Sequence, residues 1–332
     1  MCQILTETKI TNKAQILSIW VNRKKNVIHG WINLDKDIGI TSTKALNKLK
    51  AILNVKKAGH AGTLDPLATG CLPIALGEAT KTIQFAQDRL KTYEFDISWG
   101  ESRTTDDLEG EIIKTSESRP GLTMVEDLLP EFTGNIQQTP PQFAAVKIDG
   151  KRAYEIARSG EKAKIKPRDA FIESLDILEH NQDKTTLRAV CGKGVYIRAI
   201  ARDMGEKLGC YGYISSLRRL KVGPFDENTM ITLDNLEKIM HSGDLQTALM
   251  PVESMLDDIP AVDLTREEAA RVKQGQKIGL YARPQVERLE RAGIVLGQQD
   301  TPIRAYATFK GAPIALIEIK GAEIKPERVL NL

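Results

Sequence analysis

The stretch "GHAGTLDPLATG" (59–70) places one carboxylate, Asp65, between Leu64 and Pro66, with glycines on both sides and His60 five positions upstream. A residue before proline is pushed into extended backbone, so the Asp65 side chain is aimed by the chain itself. Leu64 and Leu67 stand where they can shield it. A carboxylate partly removed from water is a usable nucleophile or base when a cation keeps it ionised. Arg198 is the candidate cation, because a guanidinium stays charged and matches carboxylate geometry. The same residues also suit an ordinary Asp-Pro turn whose side chain caps nearby amides. The stretch alone leaves both readings open.

On its N-terminal side, "GWINLDKDIGITST" (30–43) reads as a strand, a turn at 37–39 and a helix N-cap at Thr41 or Ser42. The helix runs on through "KALNKLKAIL" with Leu46, Leu49 and Leu53 on one face. On the C-terminal side, "CLPIALG" (71–77) is a short apolar run. "YEFDISWG" (93–100) alternates as a half-buried strand, with Tyr93, Phe95, Ile97 and Trp99 facing one way. That pattern makes Tyr93 a core aromatic; an exposed ring would instead be a platform for stacking on a base. "GESRTTDDLEGEII" (100–113) reads as a long turn before another strand.

Further out, residues 143–168 combine a turn at 149–150, a short helical piece and a basic tail, a segment suited to wrapping a ligand. "TTLRAVCGKGVYIRAIARDMGEKLG" (185–209) reads as strand, turn and helix. Ile197, Ile200, Met204 and Leu208 form its buried face, Gly209 caps it, and Arg198 and Arg202 share a different face. Composition shifts near 251–260. Beyond it, "LTREEAARVKQGQKI" (264–278) is a short helix closed by Gly275, and "PIRAYATF" (302–309) and "PIALIEI" (313–319) form a hairpin, so a small β-rich module follows.

At 332 residues, two domains are expected. No apolar run approaches the roughly 20 residues that span a bilayer, and the short patch "ILSIWV" (16–21) lacks the flanks of a signal peptide. The four cysteines form no C-x-x-C pair and no disulfide framework, which fits a reducing cytoplasm. No P-loop, dinucleotide fingerprint, zinc motif or G-x-S-x-G elbow is present. The net charge of +3 is unevenly spread: residues 147–168 hold eight Lys/Arg against three Asp/Glu, and 188–221 hold eight against two. Two such blocks can track a polyphosphate backbone. Taken singly, Lys36 and Lys81 read as surface lysines and His60 as a loop histidine.

Read together, "LDKDIGITS" (34–42), "KAGHAGTLDPLATGCLPIALGEATK" (57–81), "KTYEF" (91–95), "KGVYIRAIARDMGEKLG" (193–209) and "LRRLKVGPF" (217–225) resemble, in that order, the TruB family of tRNA pseudouridine synthases. "LTREEAARVKQGQKI" and "GAEIKPERVL" (321–330) resemble the PUA module that follows in that family. The resemblance implies an α+β fold with a mixed, largely antiparallel central sheet and flanking helices, plus a small β-barrel-like module. It divides the chain into an N-terminal extension (1–28), a catalytic domain (29–255) with an RNA-clamping insertion at about 141–169, and a PUA-like RNA-binding module (256–332). The implied activity is isomerisation of uridine 55 in the T-arm loop of tRNA by base flipping, without metal or organic cofactor. The implied enzyme is a cytoplasmic monomer needing no protein partner.

By the same resemblance Asp65 is the nucleophile, Tyr93 stacks on the target base and shares in proton transfer, and Arg198 pairs with Asp65. His60 holds the loop open, and Tyr196 and Leu217 line the uridine pocket. Lys36 and Lys81 are basic positions near the site, and Asp107 keeps its place among the substrate-binding positions. The sequence departs from the family at Asp37, where proline is usual, and at Arg103 and Thr104, where Thr-Asp is more frequent. Two other classes compete: a tRNA-binding folding chaperone without catalysis, which would not require Asp65, Tyr93 and Arg198 together, and a glycoside hydrolase, which would want two carboxylates flanking the bond.

Overall fold

The computed structural model describes residues 24–332 apart from 145, 149, 162 and 297–300. Most of the extension expected at 1–28 therefore lies outside the described residues. In chain order the elements are β1 (Gly30–Lys36), α1 (Ser42–Leu53), β2 (Ala58–His60), β3 (Thr69–Leu76), α2 (Ile83–Asp88), β4 (Lys91–Trp99), β5 (Glu101–Arg103), β6 (Ile112–Thr115), α3 (Leu122–Leu128), β7 (Gly134–Gln138), β8 (Lys147–Ile148), β9 (Lys151–Arg152), α4 (Ala153–Arg158), β10 (Arg168–His180), β11 (Lys184–Cys191), α5 (Ile197–Lys207), β12 (Gly212–Val222), α6 (Leu233–Ser242), β13 (Ala261–Asp263), α7 (Arg266–Lys273), β14 (Ile278–Gly279), α8 (Arg283–Arg291), β15 (Ile303–Phe309), β16 (Ala312–Lys320) and β17 (Glu323–Val329).

Eight strands form the main sheet, ordered β1-β3-β12-β4-β11-β10-β7 with β2 also on β3. Every pairing is antiparallel except β3 with β12. The period of two explains its two-sided burial. In β1, Ile32 and Leu34 pack with Leu49 and Leu53 of α1 and Leu236 of α6, while Trp31 joins Phe225 and Met255 on the opposite face. In β4, Phe95, Ile97 and Trp99 enter a core with Ile200 and Met204 of α5. Thr41 caps α1, accepting from Lys44 N, and Gly209 follows α5 with φ +69°, the left-handed position that ends a helix.

Five strands, β13-β15-β16-β17-β14, make a second sheet with its own core, closed by Val272 of α7 and Leu289 of α8. Lys310 and Gly311, both at positive φ, make the tight turn between β15 and β16. The two sheets are joined by a small cluster of Phe85, Leu256 and Leu316. Lys81 Nζ adds a bond to the Val329 carbonyl at 2.6 Å. Between β7 and β10 the chain leaves the sheet as a two-stranded ribbon, β8 and β9, followed by α4. Among the described residues no helix is long and apolar enough to cross a membrane.

The position of α5 is set by contact between backbones. A Cβ added at Gly205 would lie 2.2 Å from Gly212 N and 2.4 Å from the Tyr211 carbonyl carbon. Gly205→Ala is expected to force α5 off β12 and to cost about 1–3 kcal/mol, read as a lower urea midpoint with an unchanged slope.

Candidate active site

Each backbone group around Asp65 that could let the loop drift is held from a different element. Ser42 Oγ, at the start of α1, accepts from Leu64 N at 2.8 Å and donates to Leu64 O at 2.9 Å. Pro66 O accepts from Gly39 N at 2.8 Å and from Lys36 Nζ at 3.2 Å. Ala61 N donates to Pro73 O, and Gly62 O accepts from Arg219 Nη2 at 3.1 Å. Leu64 is buried and Leu67 half-buried. The Asp65 side chain is left 38% exposed, facing a cleft.

Arg198, on the first turn of α5, is 5% exposed, and its Nε sits 2.8 Å from Asp65 Oδ2. Nη1 donates to Thr105 O at 2.9 Å and lies 3.6 Å from Asp107 Oδ2; Nη2 donates to Phe143 O at 3.3 Å. Asp107 is itself fixed by the Thr105 hydroxyl and by Glu109 N. One turn later, Arg202 reaches Asp106 at 3.3 Å and Thr139 O at 2.8 Å. The face that Arg198 and Arg202 share is therefore a polar seam against two loops.

The cleft has a volume of about 460 Å3, and Asp65, Tyr93, Tyr196, Arg198, Leu217, Arg219 and Lys91 are among the residues lining it. Tyr93 is the one member of its alternating strand face left half-buried; Phe95, Ile97 and Trp99 are buried. Burial pushes the Tyr93 hydroxyl above its usual range, while the Arg219 guanidinium beside it pulls the other way. Tyr196 caps α5, its N–H donating to Gln138 Oε1 at 2.8 Å. His60 lies half-buried on β2, not on the cleft wall; burial first and Arg219 second lower its pKa.

Two lysines differ from the surface positions expected of them. Lys36 is 1% exposed, and its Nζ donates to the carbonyls of Asp37, Ile40 and Pro66, so it braces the loop from inside. Lys81 lines no part of the cleft; it bonds Glu78 at 2.5 Å and the Val329 carbonyl, at the junction with the second sheet. Sequence reasoning passed over Ser42 as a clamp, and Lys91 and Arg219 as cleft residues. The available signal was period two: Lys91 shares a strand face with Tyr93, and Arg219 with Leu217. Among the described residues no group of three His, Cys, Asp or Glu could hold a metal ion.

The fold is that of the pseudouridine synthases. It matches the crystal structure of the archaeal box H/ACA sRNP Nop10-Cbf5 complex with a TM-score of 0.68 at 24% identity, covering 91% of this chain and 86% of that one. A Cbf5-Nop10-Gar1 complex matches at 0.69, also at 24% identity, over 93% and 91%. Residues 50–197 match the TruB family pseudouridylate synthase N-terminal domain, and 198–257 match the tRNA pseudouridylate synthase B C-terminal domain. The tRNA pseudouridine synthase B of Rhodopseudomonas palustris is 49% identical over 316 residues, 93% of this chain and 83% of that protein. The one from Paracoccus denitrificans is 41% identical over 310 residues, 93% and 99%. The chain belongs to the TruB family of pseudouridylate synthases.

Two outcomes follow from the bracing of the loop. Ser42→Ala leaves the buried Leu64 N–H without its partner and is expected to cost about 1–3 kcal/mol, measured by urea unfolding. Burial lowers Lys36 from 10.5 to about 8. Below about 8 both folded and unfolded states carry the proton, and the cost of the buried charge is full. Above it the folded state releases its proton first, so that cost is relieved. The stability of wild type relative to Lys36→Met is therefore expected to rise between pH 8 and about 10.5, read from paired unfolding curves across that range.

Proposed function

We propose that the protein converts uridine 55 in the T-arm loop of tRNA to pseudouridine, with the target nucleotide extruded into the cleft and Asp65 attacking its C1′. The observation that carries this reading is the Asp65–Arg198 pair: a carboxylate braced on both sides, held against a permanent cation and lining the cleft. Membership of the family, and near relatives named tRNA pseudouridine synthase B, support tRNA as substrate and isomerisation as reaction.

A uridine in a folded loop must leave its stack, at a cost of a few kcal/mol. The exposed part of the Tyr93 ring offsets that cost by stacking, with Leu217 and Tyr196 bounding the base. An Asp65 oxygen gives its electron pair to C1′ as the C1′–N1 pair leaves with the base. The base turns, C5 returns to C1′ and displaces the carboxylate, the C5 proton is lost and N1 gains one, so the product is an isomer. Burial keeps the Tyr93 hydroxyl protonated, so Tyr93 takes up the C5 proton only as it gives its own hydroxyl proton to the base, a relay that leaves its charge unchanged. Leu64 and Leu67 exclude water, which protects the cleaved sugar.

His60 fills the space behind the loop, and Asp107 acts on substrate through Arg198. Lys36 acts through the loop it braces, and Lys81 through the junction. In the same reading residues 256–332 are a PUA-like RNA-binding module, the basic ribbon and helix within 141–169 clamp RNA, and 1–28 is an extension of the catalytic domain. The enzyme works as a cytoplasmic monomer without cofactor or protein partner.

The test is release of tritium from tRNA labelled at uridine C5. Wild type is expected to release label, and Asp65→Asn to lose at least about 10³-fold in rate while still binding tRNA. No release from wild type, with tight binding retained, would replace this reading by that of a tRNA-folding chaperone. Conversion by Asp65→Asn at the wild-type rate would remove Asp65 from the chemistry.

A further inference from the structure

Arg219 is the most deeply set cation of the cleft, 1% exposed, yet no carboxylate among the described residues is in ion-pair contact with it. Its Nε donates to Cys71 O at 2.6 Å and its Nη2 to Gly62 O at 3.1 Å, and its charge acts on the neighbouring Tyr93 hydroxyl. A guanidinium carries five N–H donors, so these contacts do not exhaust it. Arg198, Arg202 and Arg288 each hold a carboxylate instead. Lys91, 6% exposed, repeats the anomaly: its Nζ donates to the carbonyls of Gln87 and Arg89, and no described carboxylate is in ion-pair contact with it.

The two cations are neighbours by construction. Arg219 of β12 is the register partner of Tyr93 on β4, and Lys91 lies two residues before Tyr93 on the same strand face. Lys91, Tyr93, Leu217 and Arg219 thus form one patch lining the cleft. Burying a charge without a counter-charge is unfavourable, and here it is done twice in one place. An anion that exists only during the reaction would satisfy both.

The reaction proposed above produces such an anion. When the Asp65 oxygen bonds C1′, the carboxylate loses its charge, and the C1′–N1 pair leaves with the base. The detached uracil is then an anion, its charge spread from N1 onto O2 and O4. We propose that Arg219, with Lys91 beside it, receives this anion and stabilises the glycosidic cleavage. One negative charge moves from the Arg198 wall to the Arg219 patch, and fixed donors at its destination need no reorganisation when it arrives. A phosphate of the RNA backbone fits less well, because the patch shares its strand faces with Tyr93 and Leu217, the side chains that bound the base.

This inference rests on the proposed isomerisation, and the experiment separates the two. Single-turnover consumption of the target nucleoside is measured by nuclease digestion and mass spectrometry, on tRNA carrying uridine or 5-fluorouridine at the target position. Fluorine withdraws electrons and makes the leaving base a more stable anion, so cleavage depends less on protein donors. Wild type that leaves uridine unchanged overturns the isomerase reading itself. With wild type active, Arg219→Gln is expected to slow uridine consumption by about 10²–10³-fold and 5-fluorouridine consumption at least tenfold less. Misfolding of a fraction of the protein lowers both rates equally, so the ratio isolates the electronic effect. Lys91→Met makes the same comparison without touching the Cys71 and Gly62 carbonyls. Equal losses on the two substrates in both variants, or a loss confined to tRNA affinity, overturns the inference.

Discussion

One guanidinium holds together the parts of the chain that make the cleft. Arg198 grips Asp65 from the loop between β2 and β3, Thr105 and Asp107 from the turn after β5, and Phe143 from the segment leading to the ribbon. Removing Arg198 would leave the buried Asp107 carboxylate without this counter-charge, at a cost of about 3–5 kcal/mol. The direction of the grip is set in turn by α5, whose Gly205 lies directly on the first residues of β12. A contact between two glycines thereby helps set where the guanidinium meets the Asp65 carboxylate.

Buried cations recur around this loop, and they do different work. Lys36 satisfies backbone carbonyls and holds Pro66 in place. Arg198 neutralises a carboxylate. Arg219 does part of the first task, through Gly62 and Cys71, and keeps donors over. Gly70 shows how tightly these roles are fitted: a Cβ there would lie 2.3 Å from the Arg219 carbonyl oxygen, at φ +95°. Gly70, the last glycine of "GHAGTLDPLATG", gives the backbone of β12 room to approach.

Much of this was legible in the sequence. The alternation in 93–100, the cap at Thr41 and the helix from 197 all rest on local patterns of period two or 3.6, and they stand where expected. Sheet order did not come from such patterns, and the family resemblance implied only a mixed, largely antiparallel sheet, because pairings such as β3 with β12 join residues far apart in sequence. Lys36 was misread because a lysine is ordinarily exposed, and nothing local reveals that carbonyls from two loops converge on it. Lys81 was misread for a similar reason: its partner Val329 is 248 positions away. Tyr93 carries two signals at once, since its strand face is buried everywhere except at the cleft.

That last tie bears on how the chain is made. The first sheet and its cleft are built from residues 30–222, whereas the bond from Lys81 to Val329 and the packing of Leu330 beside Trp31 and Phe225 wait for residues synthesised some hundred positions later. Domains generally fold as units in order of synthesis. The cleft can therefore mature on a nascent chain while the second sheet is still unattached, and the docking of that sheet is a late event governed by a handful of contacts.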